Sequence, residues 1–160
     1  MVQIYCTQKL NKFIKTGIKQ SLPRKEHDWS AHLFFISGRK CIIFVNKQTL
    51  YTVLLMDIFK KDMPHINRLF LEAFIGQLQM DHILGSHEGQ IRNIYNEISL
   101  LSTDNDRKTL GTINNIVSMF QDMDLASANQ YASERINKMP WQALQYVYSK
   151  DMMLQELSQI

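Results

Sequence analysis

The stretch TDNDRKTLGTINN, Thr103 to Asn115, gathers the side chains closest to chemistry in the 160-residue chain. Arg107, Lys108 and Thr109 could join the free N–H groups of a helix's first turn in an anion cradle. Thr103 and Asp106 have the spacing of a capping box, with Asp at the Glu position, and that arrangement needs no ligand. Asp104 and Asp106 favour the positive end of a helix and repel a phosphate unless turned away. Both readings of this segment remain open in the sequence. A calcium loop starting at Asp104 is excluded. Thr109 stands where its glycine is required and Asn115 where its glutamate is required.

Other chemistries find little footing. The five histidines, His27, His32, His65, His82 and His87, contain no pair at H-E-x-x-H spacing, and no C-x-x-C occurs. Asp81-His82 and His87-Glu88 bracket a glycine-containing segment; they read as a solvated loop, with a metal pair as the weaker alternative. The phosphate loop, the dinucleotide-binding glycine pattern and the nucleophile elbow are all missing. We therefore expect no metal and no cofactor. Cys6 and Cys41 each lie in an apolar strand-like run, which predicts buried, reduced thiols.

Charge is unevenly placed. Residues 1–61 hold eleven Lys/Arg against Glu26, Asp28 and Asp57, a surplus of eight positive charges. Residues 62–160 hold seven Lys/Arg against twelve acids, a surplus of five negative charges. Such asymmetry fits either two halves that neutralise each other on folding or a basic face for nucleic acid or an acidic partner. The composition, 45% hydrophobic and 21% charged, suits one globular domain over residues 1–160 with a core of its own. No apolar run is long enough to span a bilayer, and the N-terminus lacks the pattern of a secretory signal. The expected setting is cytoplasmic.

The elements that must position these groups follow from periodicity. Val2–Cys6 alternates as a strand, and Thr7 can cap the helix after it. Leu10, Phe13, Ile14, Gly17 and Ile18 form one helical face, with Lys9, Lys12, Lys15 and Lys19 as a basic flank. Ser21–Asp28 reads as a loop. Trp29–Ile36 and Cys41–Asn46 form a hairpin through Ser37-Gly38-Arg39-Lys40 and are apolar enough to need cover on both faces. His32 inside that run reads as a satisfied histidine. Thr49–Leu55 suits a third strand. Pro64 opens a helix whose buried stripe is Ile66, Leu69, Phe70, Ala73, Phe74 and Leu78. Gln90–Asn96 reads as helix; Glu97–Thr103 either continues that helix or forms a fourth strand, with strand favoured; and Leu110, Ile113, Val117 and Phe120 form the next helix face. Further helices are expected over Asn129–Lys138 and Met152–Leu157, with Tyr146 and Tyr148 in a turn. The fold class is α+β: a small, mostly antiparallel sheet covered by amphipathic helices.

Several stretches together resemble an uncharacterised bacterial family of unknown function, small intracellular proteins associated with plasmids and prophages. They are Trp29-Ser-Ala-His-Leu33, Arg39-Lys40-Cys41 leading into Phe44-Val45-Asn46, and Thr49-Leu50. Asn105-Asp-Arg107 with Leu110-Gly111 and Asn114 follows. The last is Arg135-Ile-Asn137-Lys-Met139-Pro140 with Leu144, Tyr146 and Tyr148. The resemblance implies a mobile-element setting and no established activity. It also raises the idea that Arg39, Lys40, Asn105, Arg107, Asn114, Arg135 and Asn137 converge on one recognition surface. Arg offers forked donors to phosphate or carboxylate, and Asn can read a base edge.

Two functions are expected to compete. One is a non-enzymatic binding protein with a protein or nucleic-acid partner, met through the basic N-terminal half. The other is a small enzyme acting on a nucleotide or phosphodiester. It would hold the anion with Arg107, Asn114 and Arg135 and use His32 or His87 as base. A third, structural reading is a homodimer joined through the methionine-rich C-terminal helices.

Overall fold

A computed structural model describes residues 1–15 and 26–160. Five strands form one sheet in the order β4-β3-β2-β1-β5. They are β1 (Val2–Cys6), β2 (Trp29–Ile36), β3 (Arg39–Asn46), β4 (Thr52–Leu55) and β5 (Ile98–Ser102). β2 with β3 and β3 with β4 are antiparallel, and these ladders carry most of the paired residues. β1 runs parallel to both neighbours, with Ile4 opposite Trp29 on one side and Leu100 on the other. Parallel neighbours require a crossover, and α1 (Gln8–Ile14) lies in the one between β1 and β2. The α+β class is as expected; the parallel pairing of β1 is not visible in local sequence.

Both faces of the sheet are covered, as the apolar strands require. Alternation sends Val2, Ile4, Trp29, Ala31, Ile42 and Phe44 to one face. There α2 (Ile66–Met80), α3 (Glu88–Ile94) and α6 (Ser149–Leu157) bury Phe70, Phe74, Ile91 and Met153 on them. Trp29 is the hub: Phe70 and Phe74 meet it edge-on at 5.0 and 5.1 Å, and its indole N–H donates to the Tyr95 hydroxyl at 2.9 Å. Phe34, Ile36, Ile43 and Val45 point to the other face. They meet Ile113, Ile116 and Phe120 of α4 (Arg107–Phe120) and Ala128 and Ala132 of α5 (Leu125–Arg135).

Several boundaries shift for identifiable reasons. The hairpin turn has two residues, not four. Ser37 and Gly38 both take positive φ (48° and 76°), so Ile36 pairs with Arg39 and both Arg39 and Lys40 lie within β3. β4 starts at Thr52 because the side-chain oxygen of Asn46 accepts from the Gln48 and Thr49 N–H groups, and Leu50 turns with φ of 59°. Pro64 sits within a 3-10 turn, Lys60–His65, and α2 begins after it. α5 starts earlier than expected, because the Asp124 carboxylate accepts from the Ser127 N–H at 2.7 Å and caps it there. α1 ends at Ile14 with Lys15 in the left-handed region. Gly17, Ile18, Lys19 and most of the Ser21–Asp28 loop lie outside the described residues.

Candidate functional site

The segment Thr103–Asn115 resolves into a helix start seated on a buried ion cluster. Asp106 is the N-cap of α4, and its carboxylate accepts from the Lys108 N–H at 3.3 Å. Thr103 does not cap α4, contrary to the capping-box spacing. Its hydroxyl instead accepts from the Asn105 N–H at 3.0 Å, and Asn105 turns the chain with φ of 56°. Asp104 and Asp106 face inward, where Lys47 Nζ donates to them at 2.9 and 3.3 Å and lies 4.7 Å from the Tyr5 ring centroid. Thr109 donates to Asp106 at 2.9 Å, which leaves its oxygen to accept from the Ser30 hydroxyl at 3.0 Å. Gln3, at the centre of the same sheet face, donates to Asp28 through its backbone N–H and its side-chain amide at 3.3 and 3.2 Å. The aspartates thus bind a cation of the protein itself, while Arg107 and Lys108 stand exposed outside.

Beside this cluster opens a groove of about 730 Å³. It lies beyond the C-terminal ends of the parallel strands β1 and β5, the end at which crevices form in parallel sheets. Thr7, Gln8, Asn11 and Lys12 line one wall, and Ser102, Thr103 and Asn105 the other. The Asn11 amide reaches across to the Ser102 hydroxyl at 3.3 Å. Thr7 leaves α1 without a side-chain cap and pairs its hydroxyl with His32 Nδ1 at 2.7 Å. Burial, and then the charge of Lys9, hold the His32 imidazole below the ordinary histidine range.

The opposite flank of α1 meets the projecting hairpin. Lys9 Nζ lies 4.9 Å from the ring centroid of Phe35, and Lys40 Nζ lies 5.8 Å from that of Phe13. The Lys40 carbonyl accepts from the Ile58 N–H at 2.9 Å, which ties the hairpin to the segment entering the 3-10 turn. That turn packs beside α1 and presents Phe59, Lys60 and Lys61, with Lys61 Nζ 5.5 Å from the Phe59 ring. Lys9, Lys12, Lys15, Lys40, Lys60 and Lys61 are all exposed on these adjoining elements. The two acids nearby are engaged: Asp57 pairs with Arg39 at 3.5 Å, and Asp62 accepts from the Phe59 N–H at 2.7 Å. The result is a basic, aromatic-bearing surface.

Family comparison adds one finding. The family model for a domain of unknown function, DUF6933, matches residues 3–152. The chain belongs to that family. The match takes in all five strands of the DUF6933 sheet almost completely, and α1 to α5. No curated protein and no solved structure matches.

Within this DUF6933 domain the seven residues singled out from sequence are dispersed. Arg39 and Lys40 occupy neighbouring positions of β3 at the hairpin tip, and their side chains alternate to opposite faces. Asn105 lines the groove, and Arg107 and Asn114 are exposed on the first and second turns of α4. Arg135 lines a separate depression with Tyr131, Lys138 and Tyr148. Asn137 is fully buried. Its amide accepts from the Thr52 N–H at 2.7 Å and the Ser149 hydroxyl at 3.2 Å, and donates to the Thr52 carbonyl at 3.0 Å and Asp81 at 3.2 Å. Those four bonds use its full capacity. Asp81 also accepts from the Tyr51 hydroxyl at 2.5 Å, which accounts for one half of the weak metal pair considered from sequence. Burial and that carboxylate push the Tyr51 phenol well above its ordinary range. Sequence reasoning found the lysine flank of α1 but missed Phe35, Phe59 and Lys47. Phe35 sat in a strand that read as apolar and covered on both faces, whereas Phe59 and Lys47 fell in segments to which no element or role was assigned.

Proposed function

We propose that this domain is a non-enzymatic binding protein whose partner is a nucleic acid, taken on the face built by α1, the hairpin tip and the 3-10 turn. The observation that carries this is the cluster of six exposed lysines, whose neighbouring acids Asp57 and Asp62 already have partners. Such a surface attracts phosphates and releases their counterions. Among the described residues, Lys47 is spent on Asp104 and Asp106 of the acidic half, while these six lysines stay exposed on adjoining elements. A bacterial cytoplasm, on a plasmid or prophage, is the setting this reading assigns, following the resemblance of the chain.

The enzyme reading has less support. Arg107 and Asn114 lie on α4 and Arg135 beside another depression, while His32 is held on Thr7. His87, at the start of α3, has a buried Nδ1 with no hydrogen-bond partner among the described residues.

The test is fluorescence anisotropy with a labelled oligonucleotide across a salt series. Binding should weaken steeply with salt. Replacing Lys9, Lys12 and Lys40 together by alanine should flatten the log–log slope by roughly 2 to 3. Salt-independent binding, or none, would discard nucleic acid as the partner and leave a protein partner to be sought.

A further inference from the structure

Building on that nucleic-acid reading, we infer that the ligand is single-stranded, with bases stacked on Phe35 and Phe59 and phosphates on the lysines beside them. Phe35 is 44% exposed and Phe59 50% exposed, although Phe35 stands between two core residues and Phe59 directly follows one. Phe34 and Ile36 are buried on either side of Phe35, and Ile58 and Met63 bracket Phe59. The backbone is thus anchored directly on both sides of Phe35, and by Ile58 and, four residues on, Met63 around Phe59, while each ring is turned to water. Neither ring belongs to either hydrophobic cluster of the domain.

Each exposed ring carries its own cation, Lys9 by Phe35 and Lys61 by Phe59. A nucleotide presents the matching pair, a flat base and a phosphate a few ångströms away. Aromatic platforms interleaved with cations bind single strands without sequence readout, because every base has a π-face. A duplex keeps those faces stacked inside and offers only base edges in its grooves. Reading them would need a helix free to enter the groove, and α1 is short and fixed by Leu10 to the core. The groove on the other flank of α1 adds hydroxyl and amide groups of Asn11, Ser102 and Thr103, suited to sugar and phosphate oxygens.

The experiment compares a fluorescein-labelled oligo-dT of about 20 nucleotides with a duplex of equal length, at one salt concentration and then across a series. The single strand should bind at least tenfold more tightly. Phe35→Ala and Phe59→Ala should each weaken single-strand binding roughly tenfold, within the range measured for base–aromatic stacking, without changing the salt slope. Phe35→Tyr and Phe59→Tyr should restore it. Circular dichroism of the alanine variants should match the parent, since the rings lie outside the core. Equal affinity for both oligonucleotides, with both alanine variants binding like the parent, would overturn stacking and leave the nucleic-acid reading standing. Absence of salt-dependent binding to either would remove both.

Discussion

Lys47 and Asp104 are 57 positions apart in the chain and meet at 2.9 Å beneath the first turn of α4. Asp106, two residues on, completes the clasp at 3.3 Å. The lysine side chain is only 3% exposed, so water does little to screen the pair. The ammonium therefore locks the β3–β4 turn to the start of α4. Lys47→Met keeps the length of the side chain and removes the charge. It should destabilise the domain by about 3 kcal/mol, because breaking a buried ion pair from one side leaves the carboxylates without their cation. Urea denaturation would measure this as a lower midpoint with an unchanged slope. A loss below about 0.5 kcal/mol would mean that Lys47 is no more than a solvated surface charge.

The same lysine shows where sequence reasoning reaches its limit. Apolar periodicity was enough to place β1, β2, β3 and the stripe of α2, because burial of one strand face or one helical stripe is a local pattern. The need for cover on both faces of β2 and β3 was legible for the same reason. Partner choice was not. Nothing within Val2–Cys6 states that it lies between β2 and β5 and parallel to both. Lys47 could not be assigned a role because its two carboxylates come from a distant segment. Phe35 looked buried because its neighbours are. The basic flank of α1 was legible as charge, but its junction with Lys40, Lys60 and Lys61 depends on how the hairpin and the 3-10 turn pack around that helix.

Asn137 and Arg135 stand two residues apart and should behave in opposite ways. Asn137 supplies both hydrogen bonds that the outer edge of Thr52 in β4 requires, and so closes that edge of the sheet. Asn137→Ala leaves the buried Thr52 N–H and carbonyl without these partners and should cost roughly 3 kcal/mol. Arg135→Ala, at an exposed position, should fall within about 0.5 kcal/mol of the parent. Thermal or urea melts of the two variants decide the matter. If Asn137→Ala proved neutral, a recognition role for that side chain would regain ground over the structural one.

The two thiols should be inert in the folded protein. Burial pushes the Cys6 thiol up to about 12, even though the residue borders the groove, and burial is also the main cause that raises Cys41. Only the thiolate is nucleophilic, and at pH 8 a thiol so shifted has on the order of one ionised molecule in ten thousand. A chromogenic disulfide reagent should titrate essentially no thiol in native protein and both after unfolding. Fast labelling of one equivalent under native conditions would contradict this and mark a reactive cysteine.

His32 should make stability depend on mildly acidic pH. Burial and the Lys9 charge hold its folded pKa below the ordinary value of about 6.5. Above that value the imidazole is neutral in both states and contributes no pH dependence. As pH falls below it, the unfolded chain takes up the proton first, so the unfolded state gains and the domain loses stability. The loss continues until pH reaches the folded pKa, where the native imidazole also protonates, and then levels off. Glu26, Lys9 and Thr7 differ in their bearing on this. Lys9 repels the imidazolium and Thr7 holds the Nδ1 edge at 2.7 Å, whereas Glu26 acts on Glu156 near the far end of the chain. Unfolding free energies of the parent and of His32→Gln, measured from pH 7 to pH 5, should diverge, with the parent falling more steeply. Lys9→Ala should move the His32 resonance in a proton NMR titration upward in pKa, because it removes a like charge. Parallel stability profiles, or an unmoved titration, would show that neither burial nor Lys9 governs that histidine.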